Sequence, residues 1–264
     1  LECWVTLSAL ASETSSIRLG TLCTCNSHRN PSVLAKMAST FDVISGGRLD
    51  LGIGAGWYEA EYVAYGIPYY TTPVRISQLH EAVQIIKKMW TDEKTFFRGK
   101  YYTMEGAYCS PKPIQKPHPP IWICGKGEKL LLRVVAELGD GYNFISCAPK
   151  EHANKLEVLK RYCLNLGRDI RSIKKSCTPA VFIAEDEAEV KKKIEAYRLE
   201  EQWRHLPLDE LIERSLAGTP DQCIKRIQEL ETLGVTHFIL NFPDAHNLKS
   251  ISLFAEKVIP AFKQ

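Results

Sequence analysis

The sequence has no Cys-x-x-Cys pair, no Gly-x-Ser-x-Gly elbow and no surplus of charge of one sign. No apolar run approaches the roughly 18 residues needed to span a membrane. Each absence removes a class of function. Without the serine elbow, acyl-transfer hydrolysis lacks its usual nucleophile. The nine cysteines are odd in number and scattered, so they read as small apolar residues kept reduced, and no metal site is expected. The nearest pair, Cys23 and Cys25, falls on a segment that reads as a buried strand. The net charge is only +3, and the Lys and Arg residues form no stripe, so neither a nucleic-acid nor a membrane partner is expected. No secretory leader is visible at the start, and the expected setting is cytoplasmic.

What is present is an ordinary globular composition, 45% hydrophobic and 25% charged over 264 residues, enough for one large domain spanning 1–264. Apolar spacing predicts helices over Cys3–Ser12, Ser32–Ile44 (stopped by Gly46-Gly47), Arg75–Trp90, Glu128–Leu138, Lys150–Leu166 and Leu248–Phe262, and further helices after Asp186 and after Thr219. Asp186 with Glu189, and Thr219 with Gln222 behind Pro220, form capping boxes. Strands are expected over Ile17–Cys25, Leu49–Ile53, Ile121–Cys124, Tyr142–Ile145, Cys177–Ile183 and His237–Leu240. A hairpin over Phe96–Tyr102 should turn at Arg98-Gly99-Lys100. The strands are short and apolar on both faces, as in a parallel sheet covered by helices. That alternation leaves an open doubly wound sheet and a barrel both standing.

Two glycine-rich loops close strands. Gly52-Ile53-Gly54-Ala55-Gly56 follows Leu49–Ile53, where glycine permits close backbone approach to a ligand and leaves amides free for it. A dinucleotide fold needs an acidic strand end about 20 residues on; here that distance falls inside the helix Arg75–Trp90, so that reading fails. Gly125-Lys126-Gly127 follows Ile121–Cys124 directly before a predicted helix and reads as a phosphate cradle. It is not a Walker motif, because Ser or Thr does not follow the lysine.

The run from Gly46 through Asp50, Gly52, Gly54, Gly56, Trp57, Tyr58 and Glu59 to Tyr62, with Tyr65-Gly66-Ile67-Pro68, closely resembles the luciferase-like monooxygenases, most of all their branch using the deazaflavin coenzyme F420. Ile17–Thr21, Arg29-Asn30-Pro31, Pro111-Lys112-Pro113, Pro119–Ile123 and Ala217–Pro220 match as well. The resemblance implies an α/β TIM (β/α)8 barrel. It also implies a bulge under the cofactor ring, with a non-proline cis peptide at Leu22-Cys23. Gly54, Ala55, Gly56 and Trp57 correspond to a second cofactor loop, and Gly125, Lys126 and Gly127 to the phosphate end. Cys124 stands where the family has glycine. Relatives begin with two further strands, absent from this chain, so the expectation is a barrel lacking its first two strands from a longer protein.

On the rim, His28 is a candidate proton donor to substrate and Arg29 a partner for an anion. Glu59 and Glu61 open a helix, where carboxylates meet the macrodipole favourably. Trp57 and Tyr58 are candidates for stacking or for walling a pocket. His80, His152 and His205 fall on helices away from strand ends and are expected at the surface. The resemblance implies an F420-dependent oxidoreductase moving a hydride between deazaflavin and a small organic substrate, as a homodimer. An FMN-dependent monooxygenase is the alternative, and a non-catalytic binding protein on a decayed barrel the third.

Overall fold

The computed structural model describes residues 1–146, 148–199 and 206–262. It divides into two compact units, Leu1–Tyr142 with Arg161–Ile173, and Asn143–Lys160 with Lys174–Gln264.

In the first unit, α1 (Cys3–Glu13) is capped by the Glu2 carboxylate, which accepts from the Val5 amide at 2.8 Å. Two short strands follow, β1 (Leu19–Gly20) and β2 (Thr24–Cys25), where the sequence predicts one continuous strand. The interruption is Thr21–Cys23, and the expected cis peptide is present at Leu22-Cys23. Asn30 caps α2 (Pro31–Ile44) by accepting from the Ser32 amide at 3.0 Å, and Gly46 and Gly47 end it at positive φ, as their pairing in the sequence implies. The strand β3 (Leu49–Gly54) is parallel to β1 and β2 on one side.

Beyond β3 lie α3 (Glu59–Ala64) and α4 (Thr72–Thr91). The apolar stripe of α4 (Ile76, Leu79, Val83, Ile86, Trp90) is buried, and the Trp90 indole donates to the Ala35 carbonyl of α2 at 2.9 Å. The hairpin is longer than expected, with β4 (Thr95–Arg98) antiparallel to β5 (Thr103–Ala107). Its turn shifts toward Tyr102 because the Glu81 carboxylate gathers the amides of Lys100, Tyr101 and Tyr102 at 2.7–3.1 Å. The strand β6 (Ile121–Cys124) lies parallel on the other side of β3.

The helix α5 (Leu131–Leu138) starts three residues later than the pattern predicts. A turn intervenes, in which the Leu132 amide reaches back to the Gly127 carbonyl at 3.2 Å. The division between the units falls within β7 (Gly141–Phe144) and α6 (Pro149–Asn165).

In the second unit the predicted strand Cys177–Ile183 is two strands, β8 (Lys174–Cys177) and β9 (Val181–Ile183). Pro179 has no amide hydrogen to continue a ladder, so the chain changes partners there. After α7 (Glu187–Arg198) come α8 (Leu208–Arg214) and β10 (Leu216–Gly218), which pairs with β9; the sequence reading missed both. The helix α9 (Pro220–Thr232) has both halves of its capping box. The strand β11 (His237–Phe238) pairs with β8, and α10 (Lys249–Lys257) stops short of a separate 3₁₀ turn at Ile259–Phe262. Alternation along β9 buries Val181 and Ile183 with Leu216, Ile227 and Phe254, and buries Phe182 with Val190, Ile194 and Leu211.

One histidine expectation fails: His152 on α6 is buried against the Phe144 ring, centroids 4.6 Å apart. His80 on α4 keeps its side chain 31% exposed, with Nε2 2.7 Å from Glu137. His205 lies outside the described residues.

Candidate active site

The C-terminal ends of β2, β3 and β6 stand side by side, with Cys25 opposite Gly54 and Gly54 opposite Cys124. This register brings the expected ring-side bulge, the glycine loop and the Gly125-Lys126-Gly127 loop to one edge. Parallel β/α folds place their ligand chemistry at that edge.

The glycines have a different reason from the one the sequence suggests. β3 pairs with β6 from Leu51 to Gly54 and with β2 at Ile53 and Gly54, so Gly52 and Gly54 lie within the sheet and not in the loop past it. What requires glycine is the Thr21–Cys23 bulge, which leans over β3. A Cβ on Gly52 would collide with the Thr21 carbonyl oxygen, and one on Gly54 would sit 2.9 Å from Cys23 Sγ. Thr21 Oγ1 donates to the Gly52 carbonyl at 2.6 Å and fastens the bulge there. Gly56 has φ +77, and its face is filled by the Tyr62 hydroxyl and Cys25 Sγ. Ala55, Gly56 and Trp57 are the first residues past the ladder.

Tyr62 is the organising residue that the sequence reading left inside a matched run without a role. It is buried in α3; its hydroxyl donates to the Ala55 carbonyl at 3.3 Å and lies 3.0 Å from Cys25 Sγ. Burial, reinforced by the Cys25 contact, raises the ionisation of this phenol well above its usual range, so it stays a neutral donor. Burial likewise raises the Cys25 thiol. The signal for Tyr62 was tertiary: nothing in its spacing from Ala55 distinguishes a loop brace from a core aromatic.

His28 ends a 3₁₀ turn after β2. Its ring packs edge-on to Tyr62 at 5.1 Å and Tyr65 at 6.3 Å, and Nε2 is enclosed 3.9 Å from the Glu61 carboxylate. Arg29 pairs with Glu2 instead of standing open to an anion. Glu59 and Glu61 occupy the first turn of α3, as expected.

Leu22, Trp57 and Tyr58 present apolar surface at this edge, with Trp57 78% exposed and Leu22 46% exposed. The Trp57 and Tyr58 rings lie 5.3 Å apart, and Tyr69 holds the Trp57 carbonyl at 3.0 Å. On the neighbouring strand end, Gly125 adopts φ +144 and its carbonyl accepts from the Tyr142 hydroxyl at 2.9 Å. Lys126 is exposed beyond it. Because α5 begins only at Leu131, the Gly125-Lys126-Gly127 loop is set apart from the helix N-terminus expected to serve it. Exposed apolar side chains before β2 and after β3, and a cationic, glycine-bearing loop after β6, suit a flat ring with an anionic tail.

The family described as luciferase-like monooxygenase matches residues 1–237. The chain belongs to that family. A solved F420-dependent secondary alcohol dehydrogenase, in complex with an F420-acetone adduct, superposes with a TM-score of 0.87 at 23% identity, covering 100% of this chain and 85% of that one. The fold is thus the family's α/β TIM-barrel type, which settles the choice that alternation left open. An uncharacterized protein of Mycobacterium tuberculosis is 32% identical over 142 residues, 54% of this chain and 49% of that protein, so the match spans about half that relative's length. An F420-dependent glucose-6-phosphate dehydrogenase of Kineococcus radiotolerans is 26% identical over 98% of this chain and 82% of its own. An FMNH(2)-dependent dimethylsulfone monooxygenase of Pseudomonas putida is 24% identical over 89% of this chain and 71% of its own.

Proposed function

We propose that the protein is an F420-dependent oxidoreductase that transfers a hydride between the deazaflavin and a small organic substrate. The observation that carries this reading is the exposure of Leu22 and Trp57, on the segments that flank the register-aligned ends of β2, β3 and β6. Similarity to F420-dependent relatives over nearly the full chain supports it. Bound there, the deazaflavin supplies the hydride-accepting carbon, and the chain supplies position and electrostatics. In this reading the Leu22-Cys23 bulge backs the ring while Ala55, Gly56 and Trp57 border its edge. Tyr62 keeps the Ala55 carbonyl and the Gly56 turn in place. Lys126 with Gly125 and Gly127 receives the anionic tail. His28 serves as proton donor only if its Nε2 is released from the enclosure beside Glu61. The same reading carries a homodimer, which analytical ultracentrifugation measures.

The FMN-dependent relative favours a second reading, oxygen insertion with reduced FMN. Titration with F420 and with FMN, followed by tryptophan fluorescence and repeated on Trp57→Phe, separates the two. Saturable F420 binding that loses most of its quenching in Trp57→Phe is the expected result. Binding of FMN without F420 moves the assignment to the monooxygenase, and binding of neither leaves the non-catalytic alternative.

A further inference from the structure

Three thiols, Cys23, Cys25 and Cys124, converge on the strand ends, and two of them flank Gly54. Gly54 lacks a side chain, and the space above it is entered from both flanks. Cys23 Sγ lies 2.9 Å, and the Cys124 Cβ 4.0 Å, from where a Gly54 Cβ would stand. Cys23 also leans over Gly52, its Cβ 3.6 Å from that residue's would-be Cβ, so it sits above β3 and not out at the distance of a separate strand. Cys23 is exposed and Cys124 is buried, and both are free thiols.

We propose that Cys23 and Cys124 form a reversible intrachain disulfide across the face of Gly54 on encounter with a hydroperoxide. The two sulfurs are unequal, as this chemistry requires. The influence of each thiol on the other holds the Cys23 ionisation below the usual thiol range and, with burial, holds Cys124 well above it. Cys23 is therefore the thiolate that attacks and Cys124 the thiol that resolves. The Cys23 sulfur takes the terminal oxygen of the hydroperoxide. The O–O bond breaks, and the leaving alkoxide takes a proton from water, matching the one Cys23 released on ionising, and departs as alcohol. The resulting sulfenic acid is then attacked by the Cys124 sulfur; the S–S bond forms, the S–O bond breaks and the Cys124 proton leaves in water. Two thiols lose two electrons, and the hydroperoxide gains them.

Cys25 is the third thiol at these strand ends, but its sulfur lies 3.0 Å from the Tyr62 hydroxyl against the face of Gly56, not against that of Gly54. Among the described residues no group of His, Cys, Asp or Glu is arranged to hold a metal ion, so the thiols do not form a ligand set.

The test needs no cofactor and stands apart from the cofactor assignment. The purified protein is treated with stoichiometric hydrogen peroxide, digested without reductant and mapped by mass spectrometry. The expected product is one cross-linked peptide pair containing Cys23 and Cys124, reversed by dithiothreitol. In Cys124→Ala, Cys23 should stall as a sulfenic acid trapped by dimedone; in Cys23→Ala, a change at an exposed position, Cys124 should stay reduced. A Cys23–Cys25 cross-link, over-oxidation of Cys23 with Cys124 still a free thiol, or loss of the Cys124 thiol in Cys23→Ala each overturns the proposal.

Discussion

His152 shows how little a single residue's place in a helical pattern says about its surroundings. It sits on α6 among charged neighbours in sequence, yet it is buried against Phe144 with Lys155 beside it. Loss of solvation lowers its ionisation to about 4, helped by the nearby Lys155 charge and opposed by a backbone contact at Ser146. In the unfolded chain the ring protonates near its ordinary value of 6.5. Between those values the unfolded state binds the extra proton, so this contribution is fully present above about pH 6.5. It is lost as pH falls toward 4, and amounts to roughly 3 kcal/mol. Urea denaturation at pH 7 and pH 4.5 should show wild type losing stability more steeply than His152→Gln. Equal slopes for the two proteins would show that the ring is solvated.

At the scale of elements, the two glycine loops look alike in sequence and differ in what they carry. Gly52 in β3 faces the Thr21 carbonyl, backbone that cannot swing aside. Gly52→Ala should therefore destabilise the protein by about 2 kcal/mol or more, the usual range for overpacking where nothing yields. Gly127 meets only the Leu131 Cβ at 3.5 Å, an ordinary contact, so Gly127→Ala should lie within about 0.5 kcal/mol of wild type. Thermal melts of both variants check the contrast. Local chemistry made some boundaries readable: the Thr219–Gln222 box with Pro220, and the paired glycines ending α2, act within one turn of chain. The division of Cys177–Ile183 at Pro179 was written in the sequence as well, but which strands the two halves join depends on distant Phe144, Asn241 and β10. The late start of α5 depends on the Gly127 carbonyl capturing the Leu132 amide, which no propensity encodes.

For the whole molecule, binding of a ligand to the folded state alone adds to its stability. At about a hundredfold excess over the dissociation constant the gain is roughly 2.7 kcal/mol, or about 5–10 °C in Tm for a chain of this size. F420 should produce such a shift in the wild-type protein, and Gly127→Ala should keep the apo Tm while losing part of the shift if the tail rests on that loop. An undiminished shift in Gly127→Ala, measured by differential scanning fluorimetry, removes the loop from the binding site. Family membership and fold type were carried by the run from Gly46 to Tyr62, because residues forced by a strand end, a bulge and a helix start recur together.

Taken alone, the amino-acid order determined the alternation of strands and helices, the caps that start and stop them and the family, and the resemblance to that family implied the cis peptide at Leu22-Cys23. These depend on periodicity, hydrogen bonding within a turn, and a dense motif. Only the tertiary structure decided why Gly52, Gly54 and Gly56 are glycine, that Tyr62 braces the loop, that His152 is buried, and that Cys23 and Cys124 flank the face of Gly54. Each of those depends on which atoms fill a space once the elements have packed, whether the partners are distant, as Thr21 and Gly52 are, or near, as Ala55 and Tyr62 are, and that filling leaves no periodic trace along the sequence.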